Sequence, residues 1–129
     1  MHKLLVAIVL LLPLTAQAVE MTCKKSPALT GKCSTVKGSL GLTAGLGVTL
    51  NAEDGTRIII KAPPGSNADI ATPVMQNWLY WQSKTGSMRT RITGTFELCP
   101  LPPDINSAGA FGCINKGTRI SEDKTSPGN

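Results

Sequence analysis

Histidine is all but missing from this chain. The one present, His2, stands in a leader-like N-terminus. Once that leader is removed, Ser-His-Asp and Cys-His nucleophilic arrangements are excluded, and so are the usual histidine metal ligands. The commonest general base near neutral pH goes with them. The cysteines include no C-x-x-C pair, which removes the spacing used by thiol redox centres and by most structural zinc sites. No P-loop, G-x-G-x-x-G or nucleophile elbow occurs. Aromatics are scarce, with two Trp, one Tyr and two Phe, a poor supply for stacking bases or sugars. The adjacent carboxylates Glu53-Asp54 and Glu122-Asp123 read as solvated surface, on a hairpin turn and on the tail. The chain therefore reads as non-enzymatic, with no catalytic residue, no metal ligand set and no cofactor.

What is present begins with an address. Met1-His2-Lys3 is basic, Leu4 to Thr15 is almost wholly apolar, and Ala16-Gln17-Ala18 is a small-x-small site. That is the layout of a secretory signal peptide over residues 1–18. The apolar run falls short of the roughly 20 residues a membrane span needs, and Pro13 interrupts it. No cysteine directly follows the cut, so a lipid anchor is not expected. With no second apolar span, the mature chain is expected to leave the membrane and act in the periplasm or outside the cell. Thirteen Lys/Arg and eight Asp/Glu give a formal charge of +5, and loss of Lys3 lowers it to +4. This mild excess suits an acidic partner or ordinary solubility.

Cys23, Cys33, Cys99 and Cys113 all survive cleavage. An even count in a small exported domain reads as disulfides. Four cysteines allow three pairings. The local set, Cys23–Cys33 and Cys99–Cys113, is expected because each pair brackets turn residues. In the second pair these are Pro100, Pro102, Pro103, Asn106 and Gly109.

Along the mature chain, residues 19–35 form a polar, cysteine-bearing lead. Val36 to Leu42 reads as a first strand. Leu46, Val48 and Leu50 alternate with Gly47 and Thr49 as a second. Asp54-Gly55 marks a hairpin turn, and Thr56 to Lys61 returns, with Ile58 and Ile60 on one side and Arg57, Ile59 and Lys61 on the other. After Pro63-Pro64-Gly65, Asp69 or Thr72 can cap a short helix with Pro73 at its first position. Val74, Trp78 and Trp81 form its apolar stripe, Met75 and Leu79 widen it, and Gly86 ends it. Met88 to Leu98 alternates clearly, with Thr90, Ile92, Gly94, Phe96 and Leu98 inward. Arg89, Arg91, Thr93, Thr95 and Glu97 face outward, Glu97 being placed to pair with one of the arginines or a neighbour. A last strand spans Ala110 to Ile114, and residues 116–129 read as a flexible polar tail.

Strand, strand, strand, helix, strand, strand is the element order of an OB-fold. Over residues 36–115 the hairpin LGVTLNAEDGTRIII, the interposed helix, and RITGTFELCP followed by FGCI resemble small exported bacterial OB-fold-like proteins. The resemblance implies a mainly β fold, a five-stranded OB-like barrel with one helix and disulfide staples. It carries no functional residue across.

OB-like barrels bind on the face of strands two and three. Here that face offers Arg57, Ile59 and Lys61, with Arg89 and Arg91 from the fourth strand. Ile59 between cations either meets a partner or is covered by the lead or the helix. The expected action is binding another envelope or secreted protein. Alternatives are a polyanion or nucleic acid on the basic set, or inhibition of an exported enzyme. Tyr80 is a free candidate for sugar contact. Mass spectrometry of the exported protein should find Val19 as its first residue, and a retained Met1 would refute the signal-peptide reading.

Overall fold

The structure is a computed structural model that describes residues 22–104 and 109–125. The expected signal peptide, the start of the lead, Asn106 and the Pro127-Gly128 end lie outside the described residues.

The alternating segments form β1 (Ser34–Thr43), β2 (Gly47–Ala52), β3 (Arg57–Ile60), β4 (Ile92–Leu101) and β5 (Ala110–Glu122), with helix α1 (Thr72–Thr85) between β3 and β4. They close into a barrel in the order β1-β2-β3-β5-β4. β3 and β5 run parallel, and the antiparallel β1–β4 ladder closes the ring. This is the five-stranded OB-like barrel that the element order implies. At the β2–β3 turn Gly55 takes a φ of 92°, and Asp54 Oδ1 accepts the Thr56 amide at 2.8 Å. The helix starts differently from expectation. Its N-cap is Ala71, whose amide donates to the Ile114 carbonyl at 2.9 Å, so neither Asp69 nor Thr72 caps with a side chain. Gly86, with φ 74°, ends it as expected.

Inward residues of all five strands fill the barrel: Leu40, Leu50, Ile58, Ile60, Ile92, Phe96, Leu98 and Ile114 are buried together. Val74 and Trp78 of α1 join this core, with Met75 and Trp81 packed against it. Trp78 Nε1 donates to the Thr90 carbonyl at 2.8 Å, and this fixes residues 88–90 as a turn rather than the start of β4. Leu79 does not widen the buried stripe. It is 54% exposed, because it lies past the edge of the face that meets the barrel.

A second core lies on the outside of the barrel. Ile59, Leu101 and Phe111 point outward and are buried with Cys23, Cys99 and Cys113, against Ala28, Leu29 and Cys33 of the lead. The disulfides are Cys23–Cys113 and Cys33–Cys99, with Cα–Cα distances of 5.9 and 4.1 Å. The local pairing expected above is therefore overturned. Cys99 and Cys113 are directly opposed on β4 and β5, so both side chains leave the same face, and that face is where the lead lies. Each bridge ties the lead to the barrel across 90 and 66 residues, worth about 2–4 kcal/mol apiece. Further ties are the Thr30 amide to the Pro100 carbonyl at 3.0 Å and the Lys24 amide to Asn115 Oδ1 at 3.3 Å. Glu97 accepts from Asn115 Nδ2 at 2.6 Å and meets Lys24 Nζ at 3.7 Å. Its partners are thus the lead and β5, not Arg89 or Arg91.

Of the two readings of Ile59, partner contact or cover by another part of the chain, the structure shows the second: Ile59 is only 6% exposed, in the cluster against which the lead packs. Residues 116–122, read as the start of a flexible tail, continue β5. Their pairing with β4 runs to Ile92↔Glu122, and Ile120 turns inward onto the core. Ile59→Ala should cost about 2–4 kcal/mol in urea unfolding, whereas a loss under about 0.5 kcal/mol would mark Ile59 as a surface residue.

Candidate binding face

With the lead over the β3–β5–β4 side, the barrel keeps an open polar face centred on β1. The register aligns one outward residue from each strand: Arg57 opposite Asn51, Asn51 opposite Ser39, Ser39 opposite Thr93, and Thr93 opposite Ser121. Beside this row, Lys37 pairs with Thr95 and Thr95 with Thr118.

Arg91 organises the face from within. It is 8% exposed rather than solvated as its strand position suggested. Nε donates to Ser39 Oγ at 2.9 Å, and Nη2 donates to the carbonyls of Ser39 at 2.7 Å and Thr49 at 3.2 Å. Nη1 reaches the Leu42 carbonyl at 3.4 Å and Thr43 Oγ1 at 3.5 Å. The guanidinium therefore ties β4 to β1 and β2. Gly41 makes this possible, because a Cβ there would stand 2.5 Å from Arg91 Cγ. Burial pulls the Arg91 guanidinium below its ordinary value, with Asp123 opposing the shift and Arg57 adding to it.

Ser39 Oγ donates in turn to Asp123 Oδ2 at 2.6 Å, and the Asp123 amide donates to the Arg91 carbonyl at 2.9 Å. Asp123 Oδ1 accepts the Thr125 hydroxyl at 2.7 Å and the Thr125 amide at 3.0 Å. Partial burial raises the Asp123 carboxyl, but these hydrogen bonds and the Arg91 charge outweigh it and hold the group below the ordinary carboxylate value. Asp123 is thus a locked end of the barrel and not part of a free tail.

Around this relay lies a cleft of about 370 Å³, lined by Lys37, Ser39, Asn51, Glu53, Thr93, Thr95, Arg119 and Asp123 among others. Arg119 enters it from a β-bulge. The register passes from Thr93↔Ser121 to Thr95↔Thr118, leaving Arg119 and Ile120 opposite Gly94. Arg119 takes a φ of 53°, the left-handed region that side chains disfavour. Asn51 Oδ1 is buried and, among the described residues, has no hydrogen-bond partner, a costly state for an acceptor.

The residues named from sequence do not form one cationic face. Arg57 ends the polar row and is exposed. Lys61 lies beyond the buried Ile59, with Nζ 3.5 Å from Asp104 and 4.6 Å from the centre of the Phe111 ring. Arg89 is exposed in the turn before β4, and Arg91 is buried. Lys37, Ser39, Asn51, Arg119 and Asp123 escaped the sequence reading. The outward alternation of Thr93 and Thr95 was the one signal pointing to this face. Tyr80 is 54% exposed, edge-on to Trp81 and 5.7 Å from Lys84 Nζ. Among the described residues one cluster, Cys33, Glu97 and Cys99, has metal-ligand atom types in reach, but its two sulfurs are joined in a disulfide and offer no thiolate. No described helix is long and apolar enough to cross a membrane.

Comparison of the chain with family models, with curated proteins and with solved structures gives no significant match.

The lowered Asp123 value sets the sign of a pH effect. A carboxyl whose folded value is depressed contributes stability that is complete above its unfolded value, about 3.9, and is lost as pH falls through the folded value. Asp123→Asn should therefore be less stable than the parent at neutral pH, with the gap narrowing as pH falls below the ordinary carboxylate value of about 3.9. An equal gap in melting temperature across that range would contradict the relay.

Proposed function

We propose that this chain is a non-enzymatic binding module of the bacterial envelope or its surroundings, exported by its N-terminal leader, which holds another protein against the outer face of β1, β2 and β4. The observation that carries the reading is the mixed lining of the cleft. Lys37 and Arg119 share it with Glu53 and Asp123, and Ser39, Asn51, Thr93 and Thr95 supply hydroxyls and an amide. Side chains of both signs with neutral donors and acceptors match a polypeptide surface, where charge alternates with amide groups. A polyanion meets Glu53 and Asp123 on the same floor and loses Arg91, whose donors already bond the barrel. The lining includes no aromatic ring on which a base or sugar could stack.

The non-enzymatic part of the proposal rests on the chemistry of the Ser39–Asp123 pair. The Ser39 hydroxyl receives the Arg91 Nε–H while donating to Asp123. A carboxylate held below its ordinary value is a weak base for activating that hydroxyl.

The test is capture from the cell envelope with two baits, the oxidised exported protein and its Thr93→Trp variant, in which an indole fills the cleft. A protein partner that survives high salt with the parent bait should be lost with the variant, whose melting temperature should be unchanged. Equal capture by both baits would refute this face. Recovery of anionic polymers alone, released at moderate salt, would shift the function to polyanion binding.

A further inference from the structure

We propose that the Cys33–Cys99 bridge is a thiol-exchange site: an external thiolate attacks Cys33 Sγ, while Cys23–Cys113 stays closed. The two bridges stand in opposite surroundings. Cys33 is half-buried, and Gly31, Lys32, Ser34 and Thr35 on either side of it are exposed. Cys23, Cys99 and Cys113 are each at most 5% exposed, and Cys113 lies in the buried run Phe111 to Ile114. An attacking thiolate must reach a disulfide sulfur, so access decides which bridge exchanges and at which of its two ends. Of the four cysteines, Cys33 is the one that offers that access.

The strand ladder makes the exchange local. Ser34 opposes Leu98, so Cys33, one place before β1, opposes Cys99, with Cα atoms 4.1 Å apart. The bridge is the last rung of the β1–β4 ladder, and the pairs from Ser34↔Leu98 to Leu40↔Ile92 hold without it. The lead stays attached through Cys23–Cys113, so opening loosens only the stretch that Thr30 pins to the Pro100 carbonyl. Glu97 brings a carboxylate within 4.8 Å of both sulfurs. Its charge disfavours a freed Cys99 thiolate, so the bridge is closed at rest and opens against an added thiol. In the first step the thiolate bonds to Cys33 Sγ as the Cys33–Cys99 bond breaks, and Cys99 leaves with the electron pair and takes up a proton. A second thiolate then attacks the external sulfur of the mixed disulfide, and Cys33 leaves with the pair and is protonated in turn. Two thiols are oxidised to one disulfide, and the bridge is reduced to two thiols.

The probe is reduced glutathione, added in rising concentration to the oxidised exported protein. Samples are quenched by alkylation, and the cysteine peptides are read by mass spectrometry. The expected result is a glutathione adduct on Cys33 with Cys99 alkylated, then alkylation of both, at a rate about tenfold or more above that of Cys23–Cys113. Amide hydrogen exchange at Thr30 should quicken as the bridge opens, while the β1–β4 pairs from Val36↔Phe96 onward stay protected. Both bridges opening together, Cys23–Cys113 opening first, or an adduct on Cys99 would overturn the proposal. The Cys33→Ala/Cys99→Ala variant keeps Cys23–Cys113 alone and stands in for the opened state. Its remaining bridge should resist glutathione as it does in the parent. Reduction of that bridge as fast as the parent's Cys33–Cys99 would overturn the selectivity, because order of opening rather than access would then set it.

Discussion

Cys99 and Cys113 face each other across the β4–β5 ladder, and each is bonded to the lead rather than to the other. Much of the molecule depends on that arrangement. Directly opposed residues of an antiparallel pair project to the same side, so both bridges leave the barrel's outer surface together and hold the lead flat against it. Beneath them Ile59, Leu101 and Phe111 find the cover that an outward position on a small barrel does not supply. A domain of this size buries a modest core. Adding a second apolar layer outside the barrel, fixed covalently, answers that limit. The β3–β5–β4 side is occupied by the chain itself, and the face centred on β1 stays open.

That open face is held by a polar device that parallels the disulfides. Arg91 spends its donors on the hydroxyls and carbonyls of β1 and β2, and Ser39 passes the connection to Asp123 beyond the end of β5. A buried cation costs free energy unless its hydrogen bonds are met. Here they are met largely by backbone oxygens, which do not move independently of the strands. The consequence is a rigid floor under Asn51, Thr93 and Thr95. Rigidity matters for a shallow polar site, because every side chain that must be ordered on binding subtracts from affinity.

The fold was legible because its elements are local. The Asp54-Gly55 turn, the Gly86 stop, the Val74–Trp78 stripe and the alternation around Phe96 each follow from neighbours in sequence. What escaped depended on closure. Ile59 is outward by alternation, and it is buried by an outer cluster that joins β3, β4 and β5 to the lead, segments far apart in the chain. Arg91 is outward by the same rule and is buried because Gly41 leaves a space for it. Lys116 to Glu122 looked too polar for a strand, since the bulge at Arg119 breaks its period just where Ile120 turns in. The local cysteine pairing failed for a related reason. Turn residues between two cysteines say that the chain bends, and they do not say which thiols share a face.

The candidate site shows the same dependence more strongly, because its row draws one residue from each strand. Arg57, Asn51, Ser39, Thr93 and Ser121 are separated by up to tens of residues in sequence and become neighbours only through four ladders. None is unusual alone; the chemistry lies in the combination. Two cations, two acids, hydroxyls and an amide share one lining, and that mixture exists only because the barrel closes.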